Sequence, residues 1–387
     1  MRVLVLGYIV RGPLGGHAWH HLQYVMGLER LGHDVYFLED SDDFESCYDP
    51  TTHEMTTDPA FGLAFAGAAF ARVGLQDRWA YYDAHTAAWH GPSAAKALEL
   101  CRTADVCLNV SGVNPLREWL LGVPLRVLVD TDPAFTQVRH LTDPSALRRA
   151  LLHNAFATFG ENVGTADCTI PSDGLRWQAT RQPIVLDAWP VTPGPRDGSF
   201  STMMQWQSYP TMRHGGRVYG MKSRSFAPYF DLPQRVHARL EVALGGSTAP
   251  RAWLAEGGWT VRDPYELSSD PWVYQRFIQG CKAEFSVAKH GYVATASGWF
   301  SDRSAEYLAS GRPVVTQDTG FSRWMQTGSG IIAFASPHEA RAGIESVSRE
   351  YERHCRAARA VAQEYFDARR VLPSLLERAA ATADVAG

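Results

Sequence analysis

The chain has 387 residues, 45% of them hydrophobic and 20% charged, a length and balance that suit two globular domains. A net charge of −4 with both signs spread along the chain argues against a nucleic-acid binder, and no apolar stretch is long enough to span a membrane. Met1-Arg2 runs straight into a strand without a leader's charged and apolar regions, and the six cysteines lack metal-ligand spacing, which reads as a cytoplasmic protein with reduced thiols.

Residues 2–10 are a near-continuous apolar run, the pattern of a buried parallel strand. A Gly/Pro-rich turn follows at 11–16. From His17 to Leu31 apolar residues recur on one helical face, and Gly32 stops the helix. Asp34–Glu39 reads as the next strand, so the chain opens with a Rossmann-like β-loop-α-β unit. Further units follow: helices at 60–75, 94–101, 115–121 and 145–154, and strands at 105–110, 125–129 and 155–159. The alternation predicts a parallel sheet flanked by helices.

Three prolines and two glycines between 187 and 200 mark a linker. The α/β pattern then restarts. Strands are predicted at 199–206, 259–262, 283–287, 314–316 and 330–335, with helices near 233–243, 271–281 and 321–326. Two further helices run from Pro337 to near Glu364 and from Asp367 to near Ala381. The division is 1–190, 191–365 and a terminal helix within 366–387.

Residues 297–315, Ser-Gly-Trp-Phe-Ser-Asp-Arg-Ser-Ala-Glu-Tyr-Leu-Ala-Ser-Gly-Arg-Pro-Val-Val, carry the strongest functional signal. Ser301 is a good N-cap, 302–309 tolerate helix, and Gly311 and Pro313 end it before a buried strand. A helix N-terminus gathers unpaired amides and the positive end of a dipole. Here Ser301, Arg303 and Ser304 join it, a place suited to a diphosphate. Glu306, one turn deeper, is placed to accept from ribose hydroxyls.

This segment resembles the donor-site signature of glycosyltransferases with the GT-B fold, in which a helix Glu holds the ribose and an A-S/A-G-x-P-V-V run follows, as Ala309–Val315 does here. The resemblance implies two Rossmann-like domains facing across a cleft, with the last helix crossing back onto the first. It implies a nucleotide-diphosphate sugar as co-substrate, no other cofactor and no metal. Many retaining members carry a second Glu eight positions upstream of the ribose Glu; Gly298 stands there instead.

The resemblance also implies roles elsewhere. The turn with Gly15 and Gly16 would face the acceptor, and a His after it is the base of inverting members: His17 first, His20 second. An ordinary reading of these histidines is that they pack the helix start. His17 and His21 have a metal-ligand spacing, but no Glu completes H-E-x-x-H. Asp130 and Asp132 end a strand at the edge that faces a ligand crevice. Lys222 and Lys289 are candidates for the diphosphate, and Asp318 and Thr319 for the sugar. The expected function is metal-independent transfer of a sugar to a small-molecule or glycan acceptor. A nucleotide-sugar epimerase of the same fold is one alternative. The other is an NAD-dependent oxidoreductase, with Glu39 or Asp40 on the ribose, although the G-x-G-x-x-G spacing fails.

Overall fold

The computed structural model describes residues 1–384. Two sheets organise it. The first has eight strands in the order Trp177–Ala179, Ala155–Thr158, Leu125–Asp130, Val106–Val110, Arg2–Leu6, Asp34–Asp40, Trp79–Asp83 and Ala88–His90, parallel except for the last. The second has six parallel strands: Thr260–Arg262, Leu240–Gly245, Phe200–Gln205, Ala283–Ser286, Val314–Gln317 and Ile331–Phe334. Chain order reverses beside Arg2–Leu6 in the first sheet and beside Phe200–Gln205 in the second. Ligand crevices of open α/β sheets form at the carboxyl ends of such switch points. The two crevices face each other here. Asp302 from the second lobe meets His20 from the first, and the Trp299 indole donates to the Thr131 carbonyl at 3.1 Å.

Several predicted elements differ. The expected helix near 233–243 is a 3-10 turn at Leu232–Arg235 and then strand Leu240–Gly245. Its leucines, glutamate and alanine favour helix locally, but the vacancy between two strands overrides propensity, and most of the strand is buried. The first sheet is wider than predicted, because Trp79–Asp83, Ala88–His90 and Trp177–Ala179 join its edges. Helix Phe135–Thr142 was not expected, and the helix at 145–154 spans only Pro144–Ala150, with the Asp143 carboxylate capping its start. The long helix from Pro337 breaks at Glu350 into Pro337–Arg349 and Tyr351–Tyr365.

The linker is fastened rather than loose. Arg312, the variable residue of the Gly-x-Pro-Val-Val run, is 1% exposed. Its guanidinium donates to the carbonyls of Thr192, Pro193 and Gln279. The chain crosses between lobes twice, and the crossings pair: Ile184 N donates to Phe366 O at 2.6 Å, and Ala368 N to Ile184 O at 2.9 Å. Helix Ala368–Asp384 then packs on strands and the first helix of the first sheet's lobe. A Cβ at Gly27 would lie 2.5 Å from Leu372, so glycine permits that approach.

Candidate active site

Strand Arg2–Leu6 delivers the loop 7–14 and helix Gly15–Arg30 to the gap between the lobes. Glu39 shapes that loop. Its carboxylate accepts from the amides of Ile9, Val10 and Arg11 at 2.7, 2.8 and 2.6 Å. Burial pushes the carboxyl up to about 7 against those amides. Asp40 is held by Arg117 at 3.0 Å. Both acids considered for an NAD ribose are therefore consumed by the fold, which removes the oxidoreductase reading.

Three histidines face different surroundings. His21 donates from Nδ1 to the His17 carbonyl at 2.8 Å, and its Nε2 lies 3.3 Å from the Tyr8 amide. Burial holds it neutral, well below its usual range. His20 sits 3.2 Å from Asp302 through Nδ1, while its Nε2 is buried without a partner. His17 lies 3.3 Å from the Gly12 carbonyl through Nδ1. Its Nε2 has no protein partner among the described residues, and burial lowers its pKa. Tyr8, His17, His20, Thr131, Phe159, Trp299 and Asp302 enclose a cavity of about 90 Å³ between the lobes.

Helix Asp302–Ala309 points its N-terminus at this cavity, between the ends of the second sheet's strands. Arg303 turns inward. It donates to Glu284 at 2.7 Å, to the Met203 carbonyl at 2.6 Å and to Ser286 Oγ at 3.2 Å. Glu284 is fully buried, so this pair fixes the switch point. Lys222 lies beside Arg303 and has no hydrogen-bond or ion-pair partner among the described residues. Burial first, and Arg303 next, lower its ammonium to about 7. Lys222 is half-buried by exposed surface, with the Glu284 charge partly offsetting that of Arg303, and an unpaired lysine so placed is a candidate contact for an anion.

The remaining candidates divide. Ser304 Oγ is buried without a partner, and Ser301 Oγ bonds Asp302 at 3.3 Å instead of capping the helix. Asp302 takes the first helical position. Burial, the largest single influence, opposes its charge, but the hydrogen bond and charge of His20 together with the Arg303 amide and guanidinium outweigh it and hold the carboxyl well below the carboxylate range. Glu306 is 2% exposed and accepts from Tyr274 at 2.9 Å. Burial, then the charge of Asp302, raises it well above the ordinary value. Its carboxylate is covered by Tyr274.

Lys289 reaches across to the first lobe. Asp132 accepts from its ammonium at 2.9 Å and from the hydroxyls of Tyr209 and Tyr292. Asp130 is turned away from the cavity. Thr136, Gln137, Thr158 and the Asp132 amide occupy its oxygens, so its geometry is that of a loop anchor. Asp318 bonds the Gly320 amide at 2.8 Å and the Ser322 hydroxyl at 2.5 Å, shaping the turn, and the Thr319 hydroxyl donates to the Trp299 carbonyl. Gly15 and Gly16 pack on the second lobe. Gly15 N donates to Ser268 O at 2.6 Å, and Gly16 lies against the Tyr274 ring. At Gly298, with φ +76°, a Cβ would lie 2.7 Å from Asn162, which itself donates to the carbonyls of Ala296 and Gly320. A first-lobe amide thus occupies the space that a side chain at position 298 would need.

Sequence reading missed Glu284, Tyr274 and the Asp132 knot. Glu284 had a signal: a lone acid inside an apolar central strand requires a buried cation. Tyr274 and Tyr209 had none, since tyrosine is common in cores and loops alike.

No family model matches the chain, and no curated protein matches it in sequence. Solved structures do. An alpha-glucosyltransferase in complex with UDP-glucose and DNA containing an abasic site superposes with a TM-score of 0.60 at 12% identity, over 98% of this chain and 99% of that one. HepE of Anabaena in complex with UDP gives 0.53 at 13%, over 98% and 100%. AviGT4, a glycosyltransferase involved in avilamycin A biosynthesis, gives 0.51 at 13%, over 99% and 98%. The likeness runs the full length of both lobes, and the chain has the two-lobed GT-B fold of these glycosyltransferases.

Proposed function

We propose that this chain is a glycosyltransferase that moves a sugar from a nucleotide-diphosphate donor to a hydroxyl acceptor. The observation that carries the reading is unpaired Lys222 beside Arg303 at the amide end of helix Asp302–Ala309. Departure of the diphosphate leaves negative charge on its terminal phosphate oxygen as the bond to the sugar's anomeric carbon breaks. Lys222 and the helix amides stabilise that charge. Arg303 contributes its remaining N–H groups and field, being held in place by Glu284. These cations take the part a metal ion plays elsewhere.

His17 is the base. Its Gly12 contact leaves Nε2 free to take the acceptor's proton as the acceptor oxygen attacks the anomeric carbon, giving inversion. Glu306 takes the ribose once Tyr274 moves aside. Small molecules and glycans are the acceptors proposed. The alpha-glucosyltransferase above was crystallised with DNA, so a DNA duplex belongs in any acceptor panel. UDP, found in complex with an alpha-glucosyltransferase and with HepE, is the first nucleotide to test. Nothing in the site favours an epimerase over a transferase, and the structural neighbours are transferases.

Calorimetric titration of UDP, GDP and dTDP tests the reading. One of them binds the wild type, and Lys222→Ala and Glu306→Ala each weaken it about tenfold or more, the scale of a lost charge-assisted contact. His17→Gln keeps nucleotide affinity but lowers kcat by roughly 10²–10⁴. Failure of all three nucleotides to bind, or binding indifferent to both substitutions, overturns it. A retained anomeric configuration removes His17 as base.

A further inference from the structure

Of the described residues that enclose the cavity between the lobes, Asp302 is the only acid. Its side chain is 41% exposed, whereas that of its partner His20 is 8% exposed, so the carboxylate is the open member of the pair. Ser301 Oγ donates to one of its oxygens at 3.3 Å, and His20 Nδ1 lies 3.2 Å from the other. An ionised carboxylate offers about four acceptor sites on its two oxygens, so capacity remains for a ligand. Against burial, His20 and Arg303 keep the group ionised well below the ordinary carboxylate range.

Asp302 opens helix Asp302–Ala309 and so belongs to the second lobe. When the lobes part, His20 leaves with the first lobe, and the carboxylate stays beside whatever the second lobe holds. The neighbouring cations are committed elsewhere. Arg303 turns inward to Glu284, Lys289 is held by Asp132, and Lys222 is assigned above to the diphosphate. Much of the remaining wall is aromatic. The Trp299 ring stacks on Tyr292 with 4.4 Å between centroids, its N–H is tied to the Thr131 carbonyl, and Tyr8 and Phe159 line the same cavity. Rings beside a single carboxylate suit the C–H faces and hydroxyl groups of a sugar.

We propose that Asp302 selects the donor's sugar: its carboxylate accepts hydrogen bonds from the hydroxyls of an uncharged hexose and repels a uronic acid in the same place. The inference rests on the transferase reading, because the anomeric carbon must come within reach of His17, which faces the same cavity. The cavity of about 90 Å³ is smaller than a sugar ring, so the selection acts on a donor held between parted lobes as they approach. Two carboxylates brought together between aromatic walls have little water to screen them, and like charges repel there far more than at an open surface. The preference thus has a repulsive element as well as an attractive one.

The test compares, by calorimetry, each nucleotide that binds as its hexose and as its uronate: UDP-glucose with UDP-glucuronate, GDP-mannose with GDP-mannuronate, dTDP-glucose with dTDP-glucuronate. Wild type and Asp302→Asn are titrated with both forms and with the bare diphosphate, and the melting temperature of each protein shows that it is folded. Asp302→Ser, a second neutral variant with a residue suited to a helix start, guards against a misfolded first one. The wild type binds the hexose form about tenfold or more tighter than the uronate form, and in the neutral variants the two forms come within about threefold of each other. The ratio is the readout, because a purely structural loss weakens both forms alike. A wild-type ratio near one overturns the proposal whatever the variants do, and so does a neutral variant that keeps the full preference. Binding of the diphosphate with equal affinity for the two sugar forms removes this role of Asp302 and leaves the transferase reading standing. Failure of every nucleotide to bind removes both.

Discussion

At the scale of single residues, the site is defined by what is left unpaired. Arg303 was the more visible cation in the sequence, yet Glu284 neutralises it. Lys222 is the group without a partner, and its environment lowers it to about 7, against an ordinary lysine value near 10.4. Between those values the unfolded chain holds a proton that the folded chain releases, so this residue's contribution to stability falls as pH drops from 10 through 7. A bound diphosphate reverses the shift by supplying the missing anion. Nucleotide binding above pH 7 therefore takes up a proton, and affinity rises as pH falls from 9 to 7, by about tenfold per unit at most. Titration in two buffers of different ionisation enthalpy measures the uptake. Proton release, or an affinity flat over that range, would show that Lys222 does not meet the phosphate. Lys222→Met should abolish both the uptake and the pH dependence.

At the scale of elements, the contact between helix Gly15–Arg30 and helix Pro271–Gly280 sets how closely the lobes approach. Asp270 caps the second helix with its side chain, and the carbonyl of the same residue sits where a Cβ on Gly15 would be, 2.7 Å away. Gly15→Ala must push the helices apart and should cost about 1–3 kcal/mol. Gly16→Ala meets only the Tyr274 ring at 3.4 Å and should cost little, or gain from helix propensity. Urea unfolding of the pair checks this, and equal effects would mean that the helices yield freely. The sequence made these elements legible to different degrees. The glycines of the first turn, the apolar face behind them and the Ser301–Val315 segment were readable because turn chemistry and periodicity are local. Strand Leu240–Gly245 was not, since only its neighbours in the sheet make it extended. The role of Arg312 was hidden for the same reason: its three carbonyl partners are distant in sequence.

At the scale of the whole molecule, the fold outline followed from alternation of strands and helices around a proline-rich crossing, but the state of the gap between lobes could not. That state depends on contacts between residues far apart in sequence: Trp19 with the Pro271 carbonyl, His20 with Asp302, Asn162 with two carbonyls, and above all Asp132. Three donors from the second lobe, Lys289, Tyr209 and Tyr292, converge on that one carboxylate of the first. With the knot tied, the cavity beside His17 and Asp302 measures about 90 Å³, which holds a few waters and not a nucleotide sugar. A ligand that binds only the open arrangement is weakened and slowed by the fraction of time the lobes spend closed. Asp132→Ala removes the shared acceptor and should shift the population toward open lobes. Solution scattering should then give a larger radius of gyration for the free variant, and stopped-flow tryptophan fluorescence a several-fold faster UDP association. Lys289, released from its partner, would be free to meet the diphosphate, so the variant's equilibrium affinity should not fall. An unchanged radius together with an unchanged association rate would mean that the lobes part without breaking this knot, and that the donor enters by another route.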